Sequence, residues 1–184
     1  AKKGATAIAI TATPSAGHHF VGWEVISGSA LIADASKAST TVTLYENSTI
    51  QATFEIDTCI VTFTAGTNGS VIGVTPQSVL YGGDCTLVTA TPNAGYHFVN
   101  WTKGGTAYST EAALTVTNVP STMALVANFA INTYAVTFTA GANGSITGTK
   151  SQTISHGSSC TQVTAVPATN YHFVDWTGTG GPYE

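Results

Sequence analysis

Apolar and polar residues alternate with period two along most of this chain. Over Cys59–Thr64 the alternation places Cys59, Val61 and Phe63 on one face and Ile60, Thr62 and Thr64 on the other. That is the pattern of a strand with one buried side. Ala135–Ala140 repeats it. Each run is followed by Asn-Gly (Asn68-Gly69, Asn143-Gly144) and then by Ser70–Val74 or Ser145–Thr149. Asn-Gly between alternating runs predicts a β-hairpin with both central residues at positive φ. A third strand is predicted at Ala7–Thr13, Cys85–Thr91 and Cys160–Val166. Pro14, Pro92 and Pro167 close it, having no N–H for a ladder. An aromatic block F-V-x-W follows, in which simple alternation sets Phe20, Phe98 and Phe173 opposite to Trp23, Trp101 and Trp176. The last two strands are Thr41–Tyr45 with Thr49–Glu55, and Leu114–Asn118 with Met123–Ala130. Ile50, Ala52 and Phe54 share a face there, as do Leu125, Ala127 and Phe129. Helical signal is confined to short turns within Ala30–Ser39 and Thr110–Leu114.

These elements recur because the text recurs. V-T-F-T-A-G-T-N-G-S at Val61–Ser70 returns as V-T-F-T-A-G-A-N-G-S at Val136–Ser145, and Tyr96–Trp101 returns as Tyr171–Trp176. His18–Trp23 is a third version of the aromatic block. The expected architecture is mainly β, an elongated array of small β-rich modules of about 75 residues. The expected units are 1–58, without the opening hairpin; 59–133, complete; and 134–184, without the closing strands. A module of that size buries only about 60–65% of its unfolded surface, so contact with neighbours helps it. The incomplete ends read as cuts from a longer array. Alternatively they are complementary halves whose open edges pair head to tail between copies.

Composition narrows the function classes. Only 8% of residues are charged, none is arginine, and the net charge is −4. A basic nucleic-acid footprint is therefore excluded. With 43% hydrophobic residues the chain can nevertheless build a core. No apolar run reaches the roughly 18 residues of a membrane span, and Ala1–Ile10 lacks a signal-peptide pattern. Three cysteines are too few for a disulfide scaffold. A Cys59–Cys85 bridge is one reading; small, partly buried thiols are the favoured one.

Candidate chemistry is sparse. His19, His97 and His172 recur beside the aromatic block, but none has a companion at ligand spacing, so a packing or surface role is preferred to a metal site. Cys85 and Cys160 lack a consistently placed base, and the nine acidic residues form no recurring pair. No catalytic residue, cofactor site or metal site is assigned. The residues singled out are structural: Phe20, Trp23, Phe54, Phe63, Phe98, Trp101, Phe129, Phe138, Phe173 and Trp176 as core, and Asn68, Gly69, Asn143 and Gly144 as turns. Aromatics that do not recur in place, such as Tyr81 and Tyr108, together with Tyr45 and Tyr183, are candidate platforms for sugar rings.

The text Ala94–Trp101 with Ala127-Asn128-Phe129, matched by Ala16–Trp23 with Ala52-Thr53-Phe54 and by Tyr171–Trp176, resembles the bacterial internalin B-repeat family. The resemblance is strongest to its divergent branch, the bacterial repeat domain of the Listeria–Bacteroides type, and covers essentially the whole chain. Asn170 departs from it, standing where Gly17 and Gly95 stand in the other copies. The resemblance implies β-rich, β-grasp-like modules in tandem, in secreted or cell-surface bacterial proteins, with no catalytic residues to carry over. The function expected is that of a non-enzymatic stalk, spacer and adhesion surface. Its partners would be other surface proteins or glycans, bound weakly and multivalently. The alternative is a lectin-like module using exposed aromatics.

Overall fold

The computed structural model describes residues 6–178; Tyr183, one of the candidate sugar platforms, lies outside them. Seventeen strands and no helix are found among the described residues. The first copy contributes β1 (Ile8–Thr11), β2 (His18–Ser27), β3 (Ala30–Ile32), β4 (Ser39–Leu44) and β5 (Thr49–Ile56). The middle copy holds β6 (Thr58–Ala65), β7 (Gly69–Ile72), β8 (Gln77–Leu80), β9 (Val88–Pro92), β10 (Tyr96–Lys103), β11 (Thr106–Ser109), β12 (Ala113–Leu114) and β13 (Met123–Ile131). The last copy holds β14 (Thr133–Thr137), β15 (Gly144–Thr147), β16 (Ser151–Ser155) and β17 (Thr164–Pro167). They form several small sheets and no barrel.

The middle copy shows the plan. One sheet has the order β11-β10-β13-β6-β8 and the other β12-β9-β7. Between them lies a core of Val61, Phe63, Trp101, Leu125 and Ala127 with Val88, Ala90, Leu114, Val116 and Val119. Trp101, Leu125, Val61 and Val88 are wholly inaccessible to solvent. The alternation read in Cys59–Thr64 is realised: Cys59, Val61 and Phe63 are buried and Ile60 is exposed.

The predicted Asn-Gly hairpin does not form. β6 pairs with β8 and, in parallel, with β13, whereas β7 pairs with β9. The chain thus crosses from one sheet to the other at Asn68-Gly69. Asn68 alone of the two takes positive φ (70°), as Asn143 does in the last copy (64°). The Gly69 requirement is one of space, because a Cβ there would lie 2.6 Å from Phe129 Cδ2. The two closing strands do not pair with each other: β4 pairs with β1 and β3, while β5 pairs with β2. Ala30–Ile32, read as a helical turn, is strand β3 on the edge of β4. Strand β8 was not anticipated at all.

Phe and Trp of the aromatic block also do not face opposite ways. The ladder of β10 with β13 shifts register between Phe98 and Asn100, and that of β2 with β5 between Phe20 and Gly22. Such a bulge adds one residue and reverses the facing of all that follow. Phe98 and Trp101 rings accordingly lie 6.1 Å apart, and Phe20 and Trp23 rings 5.7 Å apart.

Candidate functional site at the repeat junctions

Strand β5 runs into β6 through one residue, Asp57, and β13 runs into β14 through Asn132. Both connections are half-buried, and both satisfy their backbone polar groups within the protein in the same way. The Asp57 N–H donates to the Gly17 carbonyl and the Asp57 carbonyl accepts from the Tyr81 N–H, each at 2.8 Å. The Asn132 N–H donates to the Gly95 carbonyl and the Asn132 carbonyl accepts from the His156 N–H, again at 2.8 Å. One linker residue therefore ties the turn of one copy to the end of the third strand of the next.

Side chains reinforce this tie. His19 Nδ1 sits 2.8 Å from Asp57 Oδ1, and His97 Nδ1 2.9 Å from Asn132 Oδ1. Across each junction an aromatic ring covers a glycine. Tyr81 lies on Gly17 (φ +70°) and His156 on Gly95 (φ +81°), so closely that a Cβ would be 2.6 Å from Tyr81 Cδ2 or 2.8 Å from His156 Cγ. Glycine is needed twice over, for the left-handed backbone and for the ring. Tyr134 flanks the second junction, its hydroxyl 3.4 Å from His156 Nδ1 and its ring 6.1 Å away.

Two of the three recurring histidines, His19 and His97, thus cap the linker, whereas His172 is exposed in a segment without strand structure. Among the described residues no three His, Cys, Asp or Glu side chains gather as a metal site would require. Tyr81, expected as an exposed platform, is half-buried at the junction; Tyr108 and Tyr45 are exposed. In the third copy Asn170 keeps the left-handed backbone (φ 68°), which asparagine tolerates. It carries the side chain that the other two junctions exclude.

Of the aromatic core candidates, Phe63 and Trp101 are fully interior, with Phe98 and Phe129 packed against them. Phe20 and Trp23, and likewise Phe138 and Trp176, are half-buried pairs. Phe54 and Phe173 depart from the expected core role, being 38% and 46% exposed. The cause for Phe54 is that β5 carries only β2 beside it among the described residues, where β13 has β10 and β6. For Phe173, no strand forms over 171–178. Cys59 and Cys85 are both buried as free thiols, and Cys160 is exposed. Burial, and to a lesser degree the Asp84 charge, raises the Cys85 thiol above its ordinary pKa.

Two further recurring residues escaped the sequence reading. Gln77 is 5% exposed; its amide donates to the Val74 and Thr86 carbonyls and its oxygen accepts from the Thr86 N–H. Gln152 makes the same three bonds with Thr149 and Thr161. Their signal was recurrence at the same repeat position.

A family model described as the divergent InlB B-repeat domain matches residues 1–58, 59–133 and 134–183. No curated protein and no solved structure matches the chain. Among the described residues no helix is long and apolar enough to cross a membrane.

Proposed function

The chain belongs to the divergent InlB B-repeat family, and from that premise we propose that it works as a non-enzymatic stalk. On this reading it lies outside a bacterial cell, holds a neighbouring domain away from the surface and offers weak, repeated contacts to other surface molecules. The supporting observation is the junction. A spacer must transmit position from one unit to the next, and here the linker spends both backbone groups and its side chain on the flanking units. A free linker would leave those groups to water. The residues that recur most strictly serve cores and junctions, which is what a spacer needs repeated.

The test is to display the chain on a bacterial surface beneath a small binding domain and measure capture of a bulky ligand. Capture should fall when the chain is deleted and return when it is replaced by another rigid spacer of similar length. It should not return with a short flexible linker. Unchanged capture on deletion would remove the stalk reading. Glycan binding, the alternative, would rest on Tyr45 and Tyr108, 54% and 43% exposed, which sit singly on different copies. Binding on a glycan array that Tyr45→Ala and Tyr108→Ala abolish would favour it.

A further inference from the structure

A spacer sets a distance, and the topology of the middle copy suits it to a further task. Its first strand, β6, and its last, β13, are neighbours in the order β11-β10-β13-β6-β8 and run parallel. The ladder pairs Val61 with Met123, Phe63 with Leu125 and Ala65 with Ala127. The chain enters β6 from Asp57 and leaves β13 into Asn132, and each of these is the single residue between two strands. No loop gives slack at either point, so a pull on the flanking copies reaches the ladder directly. Parallel strands have their N-terminal ends side by side. Tension therefore draws β6 toward its N-terminus and β13 toward its C-terminus, and the strands are urged past each other along their common axis. All the bonds between them are loaded at once. Pulling two strands apart from one end would load those bonds one after another.

The same two strands are tied beyond their paired residues. The Gly66 N–H donates to the Ala127 carbonyl at 2.8 Å, the Ile60 N–H to Thr122 Oγ1 at 3.0 Å, and Thr64 Oγ1 to the Leu125 carbonyl at 3.3 Å. Strand β8 covers the outer flank of β6 and β10 that of β13, so neither is an edge strand. On the core side Val61, Phe63, Met123, Leu125 and Ala127 are buried. Water kept from these bonds cannot exchange for them as the strands begin to slide. The segment between the two strands, 66–122, lies outside the load path.

We propose that the middle copy is a tension-bearing element, with β6 and β13 as a shear clamp between the copies on either side. Carrying load along the chain is distinct from setting its length, and the clamp follows from the register of one ladder, wherever the chain is found. Forced unfolding follows the unfolding barrier rather than the equilibrium. Five residue pairs that must break together raise that barrier along this one direction. The clamp holds until it fails and then releases the whole copy. Between Thr58 and Ile131 the release adds about 220 Å: 73 residue steps (131 − 58) at about 3.5 Å each, less the roughly 36 Å that the folded strands already span.

Single-molecule pulling on the intact chain between introduced cysteines is the test. Cys160→Ser removes the exposed native thiol, and Cys59 and Cys85 are buried. Handles at Thr58→Cys and Ile131→Cys shear the ladder. Handles at Thr67→Cys and Ile131→Cys grip the C-terminal end of both strands and unzip it. Thr58 and Thr67 are both exposed, so the two chains share one fold and differ in the direction of the force. The first pair should rupture in one step of about 220 Å, at a force severalfold above that of the second. Equal forces, or a weaker first pair, would overturn the shear clamp. So would gradual lengthening of the first pair without a single rupture, since the ladder would then be yielding bond by bond.

Discussion

Replacing Gly95 by alanine separates what the junction contributes from what the backbone demands. At φ +81° any L-residue is strained, and alanine in the left-handed region costs about 1–2 kcal/mol. Its Cβ would also stand 2.8 Å from His156 Cγ and Nε2, so the ring must leave the glycine. Moving it disturbs the Tyr134 contact at 3.4 Å and strains the His156 N–H bond to Asn132. Overpacking of this kind costs about 1–3 kcal/mol, for a total of about 2–5 kcal/mol. Gly104 is the control. It too has positive φ (+55°) but nothing within 4 Å of a Cβ, so Gly104→Ala should cost the backbone share alone. Urea unfolding followed by Trp101 fluorescence, with Trp23→Phe and Trp176→Phe in every variant, reads both. With a slope of about 1–3 kcal/mol/M, the junction share moves the midpoint by about 1 M. His156→Ala added to Gly95→Ala should recover part of that difference. Equal midpoints for Gly95→Ala and Gly104→Ala, or no recovery, would refute the ring-on-glycine junction.

Three other outcomes follow from burial and hydrogen bonding. Trp101→Ala should destabilise the middle copy by about 3–5 kcal/mol, and Phe173→Ala, at a half-exposed position, by far less; paired urea curves decide. Gln77→Leu strands the Thr86 N–H and two carbonyls and should cost about 1–3 kcal/mol, measured against Thr86→Val in the same assay. Native protein should titrate one thiol, Cys160, with a disulfide reagent, and denatured protein three. The raised Cys85 pKa keeps that thiol protonated and unreactive to higher pH than an ordinary cysteine, so a second fast thiol at neutral pH would contradict its burial.

Period two made the strands legible, and recurrence made the units legible, because both are properties of single residues and their spacing. Pairing was not legible. The parallel β6–β13 ladder joins residues about sixty positions apart, and nothing local encodes such a contact. Asn68-Gly69 misled because glycine was read as a conformational requirement when the Phe129 ring makes it a spatial one. The bulge after Phe98 inserts one residue without any sequence mark, and so turned two correct aromatics to opposite faces. The junction was written in the chain, but through unlike residues: Asp57 with Asn132, and Tyr81 with His156. Backbone bonds impose no side-chain identity, so these positions hold their geometry while their chemistry drifts.

That drift has one limit, and it can be tested by moving the third copy's residue into the first junction. Asn170 adopts φ 68° and Gly17 φ 70°, so Gly17→Asn introduces a residue already suited to the backbone. What remains is the Cβ, 2.6 Å from Tyr81 Cδ2. Gly17→Asn should therefore loosen the first copy from the second with little backbone strain. Proteolysis at the linker around Asp57 should become faster, while Trp101 unfolding stays near wild type because its core lies wholly within the middle copy. Tyr81→Ala in the same chain removes the ring that clashes, and should not raise linker proteolysis further, although it costs the middle core, against which Tyr81 also packs, some stability. If Gly17→Asn leaves linker proteolysis unchanged, the ring does not hold the two copies together. The stalk reading would then rest on the backbone bonds of Asp57 and Asn132 alone.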